Sequence, residues 1–296
     1  MDTSLKRILV ATDFSPTAEH AQRLAHRLAA SFGAEIHLLH VRLLLEDPHL
    51  GEAQHAHFGE MLAASDADTR DALATSGSAA VGLRTISHVV RGLSPAEAIV
   101  ESAMSLECDL VVMGTHGRRG LTHALLGSVA ERVIRAAPMP VLTVRLDAVE
   151  PESIRRILVP YDFSDHSRQA LAVATTWATS LGADLTLLHA VEPVVYPDFY
   201  AVDVMPGELT KRLLERSRTA LSEIAAEHPV EGTEPTVQVV AARAADAVLA
   251  AATPDACDLV VMGTRGLSGL EHLLLGSVAE SVARRCPVPV LAVREI

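Results

Sequence analysis

Lysine is nearly missing from this 296-residue chain: Lys6 and Lys211 are the only two, so the positive charge is almost all arginine. Aromatic residues make up 3%, and the formal charge is -12. An acidic chain of this kind lacks the basic footprint of a nucleic-acid binder, and no nucleic-acid partner is expected. The three cysteines, Cys108, Cys257 and Cys286, form neither a C-x-x-C pair nor a Cys/His zinc spacing. They read as buried structural thiols. No apolar run approaches the roughly 18 residues of a membrane span. The start, MDTSLKRILVATDFS, has neither the apolar core nor the small-residue cleavage site of a signal peptide. A reducing, cytoplasmic setting without a membrane partner is therefore expected. A G-x-x-x-x-G-K-[ST] run is absent, which argues against a P-loop NTPase. No G-x-G-x-x-G follows the first strand, which argues against a dinucleotide enzyme.

What is present is a repeat. Hydrophobic residues are 49% and charged residues 21%, enough for two buried cores in two domains of ordinary size. In the first half, residues 7–11 (RILVA) read as a strand, and Ser15-Pro16 as an N-cap and first helical residue. Ala18, Ala21, Leu24, Ala25 and Leu28 keep helical spacing up to the C-cap Gly33. Strands follow at 35–41, 83–91, 109–113 and 141–145, with helices expected at about 54–74, at 95–106 and after residue 128. The second half repeats this at an offset of 149: Asp162-Phe163-Ser164 answers Asp13-Phe14-Ser15, and Leu187-Leu188-His189 answers Leu38-Leu39-His40. Around the third strand the offset slips by one, with Val239-Val240 answering Val89-Val90. A whole domain has been duplicated. Alternating strands and helices predict a parallel sheet covered on both faces, a doubly wound α/β domain. We expect domains at residues 1–147 and 153–296, with a polar linker at 148–152.

The most informative stretch is GTHGRRGLTHALLGS, residues 114–128, between a short strand and an amphipathic helix. Gly114, Gly117 and Gly127, followed by Ser128, recur with identical spacing as Gly263, Gly266, Gly276 and Ser277. Glycines permit close backbone approach, and an opening helix offers unpaired N–H groups to an anion. Gly127-Ser128 and Gly276-Ser277 therefore read as phosphate sites, and Gly127→Val is expected to block binding with the fold intact. Arg118 and Arg119 in the first loop, and Arg265 in the second, read as phosphate partners or as solvated surface charges. Asp13 and Asp162 lie just past the first strand of each copy. They read as acceptors for a ribose or base donor group, or as simple turn residues. Ligands of open α/β sheets bind beyond the strand carboxyl ends where the winding reverses, which puts Asp13 opposite Gly114 and Asp162 opposite Gly263.

These motifs together with the tails APMPVLTVR and CPVPVLAVR resemble the universal stress proteins, in a tandem arrangement covering both halves. The resemblance implies a sheet order of 3-2-1-4-5 in each domain and, in the ATP-binding branch, a bound adenine nucleotide, ATP with or without Mg²⁺. Carried over, Ala11, Asp13 and Val41 hold the adenosine of copy one, while Gly114, Gly117, Gly127, Ser128 and Val129 take ribose and phosphates. Copy two supplies Pro160, Asp162, Ala190, Gly263, Gly266, Gly276, Ser277 and Val278. Ala11 stands where the family often has the proline that copy two keeps as Pro160, and Ala190 stands where copy one has Val41. The resemblance also implies pairing of the two fifth strands, so that one chain mimics the family dimer; further association of two chains stays open.

The loops hold no base-orienting dyad and no pair of metal-binding carboxylates. A nucleotide sensor or regulator is therefore expected rather than a turnover enzyme, with slow ATP hydrolysis left open. The rivals are a scaffold of the branch without ATP, working through protein contacts, and a flavin-type binder. His49, His55 and His57 lack a completing ligand and suggest no metal site. His40 and His189 read as core or supporting residues. Tyr196, Phe199 and Tyr200, in segment 192–207, read as a lid, an interface patch or ordinary loop packing.

Overall fold

The computed structural model describes residues 5–43, 71–73, 82–116, 126–192, 206–266 and 275–294. They group into two compact units that divide after Leu146. The first holds strands β1 (Arg7–Ala11), β2 (Glu35–Leu43), β3 (Thr85–Gly92), β4 (Leu110–Gly114) and β5 (Val141–Val144). Its helices are α1 (Pro16–Phe32), α2 (Pro95–Ser105) and α3 (Ser128–Ala136). Of the helix expected at 54–74, only residues 71–73 are described, and they are helical. The second unit holds β6 (Arg156–Pro160), β7 (Asp184–Val191), β8 (Thr236–Ala241), β9 (Leu259–Gly263) and β10 (Val290–Val293). With them run α4 (Asp165–Leu181), α5 (Pro206–Glu227), α6 (Ala244–Ala251) and α7 (Ser277–Arg285).

Strand order is β3-β2-β1-β4-β5 in the first unit and β8-β7-β6-β9-β10 in the second, with every recorded pair inside each unit parallel. Each is a doubly wound α/β sheet of order 3-2-1-4-5. Right-handed crossovers place α1 on one face of the first sheet and α2 and α3 on the other, and α2 and α3 pack on each other. Because both faces are covered, the strands need unbroken apolar runs rather than alternation. Ile8, Leu9 and Val10 are accordingly fully buried, as are Val111 and Val112. The single tryptophan, Trp177, is buried in α4 where the offset of the repeat aligns it with Leu28 of α1.

The helix signals operate as the sequence indicates. Ser15 Oγ accepts from the Ala18 N–H, Pro16 opens α1, and Gly33 ends it at φ +71°. Ser164 caps α4 through the Ser167 N–H, and Gly182 ends it at φ +62°. The one-residue slip is real: His40 and Val41 pair with Val89 and Val90, and His189 and Ala190 pair with Val239 and Val240. All three cysteines are buried free thiols. Burial pushes Cys108 and Cys257 up to about 12, so neither is a thiolate near neutrality.

At the amino ends of the central strands an aspartate ties neighbours together. Asp109 Oδ2 accepts from the N–H groups of Lys6 and Arg7, both at 2.8 Å. Asp258 Oδ2 accepts from Arg155 and Arg156 N–H at 2.9 Å, and its Oδ1 accepts from the Arg156 guanidinium at 2.6 Å. Burial pushes the Asp258 carboxyl up, but the Arg156 guanidinium and the two N–H donors outweigh it and hold it below its ordinary 3.8. Its folded form therefore favours the charged carboxylate. That contribution is complete above the ordinary value and is lost as pH falls through the lower folded value. Asp258→Asn is expected to lower unfolding stability at pH 7 by about 1–3 kcal/mol. Urea titrations at pH 7 and pH 3 check this: the gap between parent and variant should shrink at the lower pH, and an undiminished gap contradicts the assignment.

Candidate functional site

The winding reverses at the first strand of each unit: β2 flanks β1 on one side and β4 on the other, and β7 and β9 flank β6. Ala11 lies opposite Met113. Asp13 and Thr115 each follow two residues later and emerge at the same end of adjacent strands. Val41 follows Leu39, the register partner of Ala11, by two residues and so reaches this end of β2. In the second unit Pro160 ends β6 opposite Leu188, Ala190 stands two residues further along β7, and Gly263 ends β9. The predicted crevice residues thus collect at the carboxyl ends of the central strands. Gly117, Arg118 and Arg119, the histidines at 49, 55 and 57, and the aromatics at 196, 199 and 200 lie outside the described residues.

Each aspartate closes a tight turn. Asp13 Oδ1 accepts from Ser15 N–H at 3.1 Å, and Asp162 Oδ1 accepts from Ser164 N–H at 3.1 Å and from its hydroxyl at 2.5 Å. The turn reading of these two residues is thus observed. The other oxygen, Asp162 Oδ2, lies so close to Gly266 that a Cβ on that glycine would collide with it. The acidic residue after β6 and the loop glycine after β9, 104 positions apart in sequence, meet across the crevice.

The glycine loop is fastened by its backbone. Thr115 N–H donates to Val144 O at 2.9 Å, while Thr115 O accepts from Gly127 N–H at 2.9 Å. In the second unit Thr264 N–H donates to Val293 O at 3.0 Å and Thr264 O accepts from Gly276 N–H at 2.9 Å. Gly127 and Gly276 are the N-cap residues of α3 and α7, and neither helix has a side-chain cap. Serines cap α1, α2 and α4. The helical ladders begin with Glu131 N–H to Gly127 O and Glu280 N–H to Gly276 O. The amides of Ser128, Val129, Ser277 and Val278 precede those first bonds and carry the positive end of the helix dipole.

The Gly127 amide serves the Thr115 carbonyl, and the Ser128 and Val129 amides are the next along the helix start. A Cβ at Gly127 would stand 2.5 Å from Thr115 O, so Gly127→Val strains the Thr115–Gly127 link itself, a cost the sequence did not show. Gly114 and Gly263 also have a structural duty. A Cβ at Gly114 would stand 2.7 Å from Thr17 Cγ2, and one at Gly263 would stand 2.8 Å from His166 Cβ. These glycines let the first turn of α1 or α4 lie against the strand end.

Sequence reasoning missed the backbone of the turn residues. Phe14 has φ +61° and Phe163 has φ +66°. This left-handed conformation costs a residue with a side chain about 1–2 kcal/mol. His40 Nδ1 bonds to Thr12 O and His189 Nδ1 to Tyr161 O, each at 2.7 Å. The phenyl rings pack against the imidazoles, tilted in the first copy and edge-on in the second, with centroids 4.8 Å and 4.9 Å apart. The repeated D-F-S and L-L-H triplets were the available signal.

Comparison with known proteins decides the family. The profile of the universal stress protein family matches residues 4–145 and again residues 153–294. The chain belongs to the universal stress protein family. A universal stress protein of Thermus aquaticus is 41% identical over 140 residues, covering 47% of this chain and 98% of the relative. One from Mycolicibacterium smegmatis is 29% identical over 297 residues, covering 97% of this chain and 96% of the relative. Among solved structures, a universal stress protein from Archaeoglobus fulgidus superposes with a TM-score of 0.71 at 24% identity over 99% of both chains. The fold is thus that of a tandem universal stress protein.

The two glycine hinges differ in room. A Cβ at Gly276 would stand 3.2 Å from Thr264 O, against the 2.5 Å at Gly127. Gly127→Ala is expected to destabilise by about 1–3 kcal/mol, and Gly276→Ala by distinctly less. Chemical unfolding of the two variants checks the order, and equal or reversed losses contradict it.

Proposed function

We propose that this universal stress protein binds an adenine nucleotide, ATP with or without Mg²⁺, at each of its two crevices and acts as a sensor or regulator. The observation that supports this most is the placement, at the same end of adjacent strands, of an aspartate held in a tight turn and of the strand end to which a helix N-terminus without a side-chain cap is bonded. The donor set suits the ligand. Ser128, Val129, Ser277 and Val278 offer amides to phosphate oxygens. Asp13 and Asp162 offer carboxylate oxygens to a sugar hydroxyl or a base N–H. Ala11 with Val41, and Pro160 with Ala190, offer small apolar surfaces to a purine. Arg118 and Arg265 complete the proposed sets beside Gly117 and Gly266. ATP supplies the phosphate charge and any conformational signal when bound; the chain's own residues bind and orient it.

Calorimetric titration of the full chain with ATP and Mg²⁺ tests the reading. Two nucleotides per chain are expected. Asp13→Ala and Asp162→Ala should each weaken one site while leaving the other, by about 10- to 100-fold for the loss of a hydrogen bond to a charged group. A chain that binds no ATP at millimolar concentration is a protein-contact scaffold instead, and unchanged binding in both variants contradicts the assigned carboxylates.

A further inference from the structure

We propose that His40 and His189 are positioning residues for nucleotide binding. Each locks its Asp-Phe-Ser turn so that Asp13 or Asp162 is already set at the crevice before a ligand arrives. This rests on the crevices holding an adenine nucleotide.

Among the described residues, three without glycine's freedom have a positive φ: Phe14, Glu107 and Phe163. Glu107 lies just after α2, where its N–H bonds back to Met104 O, a common way to end a helix. The other two occupy the same place in the two copies, directly after the aspartate. Glycine would adopt this φ at no steric cost, yet phenylalanine stands there twice. Its ring is what glycine lacks, and in both copies that ring packs against a histidine of the neighbouring strand.

The same histidine holds the preceding peptide. A backbone carbonyl only accepts, so Nδ1 of His40 and of His189 must carry the proton, which fixes the tautomer when the ring is neutral. The N–H groups of residues 12 and 161 meanwhile donate to Leu39 O at 2.9 Å and Leu188 O at 2.8 Å. Both backbone polar groups of that residue are thus tied to the neighbouring strand, one by the sheet and one by the imidazole. The side chain there differs, Thr12 in one copy, where its Oγ1 also accepts from Phe14 N–H at 3.0 Å, and Tyr161 in the other, but the backbone tie to the neighbouring strand is the same. The aspartate sits between the tied carbonyl and the held ring. Its own bond to Ser15 or Ser164 completes the lock.

Ordering this turn in advance removes an entropy loss that binding would otherwise incur. The histidines therefore act on affinity without touching the nucleotide. Full-length His40→Phe/His189→Phe keeps a ring and removes the donor, and His40→Asn/His189→Asn restores an N–H near the Nδ1 position. Calorimetry with ATP and Mg²⁺, alongside thermal unfolding, is expected to show about a tenfold weaker Kd for the Phe pair and recovery of most of that loss in the Asn pair. Phe14→Gly/Phe163→Gly relieves the backbone strain but removes the ring contacts and adds freedom to the unfolded chain, so thermal unfolding is followed to confirm that the pair is folded. The folded pair should weaken Kd by a similar factor. Parent-like Kd in the Gly pair, or in a folded Phe pair, overturns the proposal while leaving nucleotide binding intact. A parent chain that binds no ATP removes the nucleotide reading and this proposal together.

Discussion

A single backbone hydrogen bond, made once in each unit, organises the site: the carbonyl just past the fourth strand takes the N–H of the glycine that opens the following helix. It joins Thr115 to Gly127 and Thr264 to Gly276, with eleven residues of sequence between them in each case. The helix start is thereby anchored to the strand end. The strand end in turn lies beside the first strand, where the aspartate turn emerges. Sheet order, right-handed crossovers and buried apolar strands all serve to bring these two strand ends side by side.

Much of this was legible in the sequence because it depends on local chemistry. Ser-Pro starts, glycine stops and short apolar runs each have a short-range cause, and the duplication let one copy check the other. Even the one-residue slip at Val89 and Val239 was readable. What stayed hidden depends on contacts distant in sequence. Gly114 and Gly263 look like ligand-facing glycines until the first helical turn is seen lying against them. Nothing local shows that the Gly127 amide bonds to Thr115 O. No propensity scale would place Phe14 or Phe163 at positive φ, because that conformation is held by an imidazole 26 positions further on.

The two copies differ where side chains would meet a ligand and agree where the backbone is set. Ala11 and Pro160 differ, as do Val41 and Ala190. The clasp lengths, the histidine-to-carbonyl bonds and the left-handed phenylalanines match closely. Backbone amides recognise phosphate without regard to the side chains around them. On the proposed function, both crevices therefore hold the phosphate part of the ligand in the same way, and any difference in preference between them arises at the base.

Amide hydrogen exchange, followed residue by residue with and without ATP and Mg²⁺, tests this most directly. Gly127 and Gly276 should be protected in both conditions because their protons already sit on threonine carbonyls. Ser128, Val129, Ser277 and Val278 should exchange freely without nucleotide and become protected with it. Fast exchange at the two glycines, or no change at the four helix-opening amides under saturating ATP, would contradict the account.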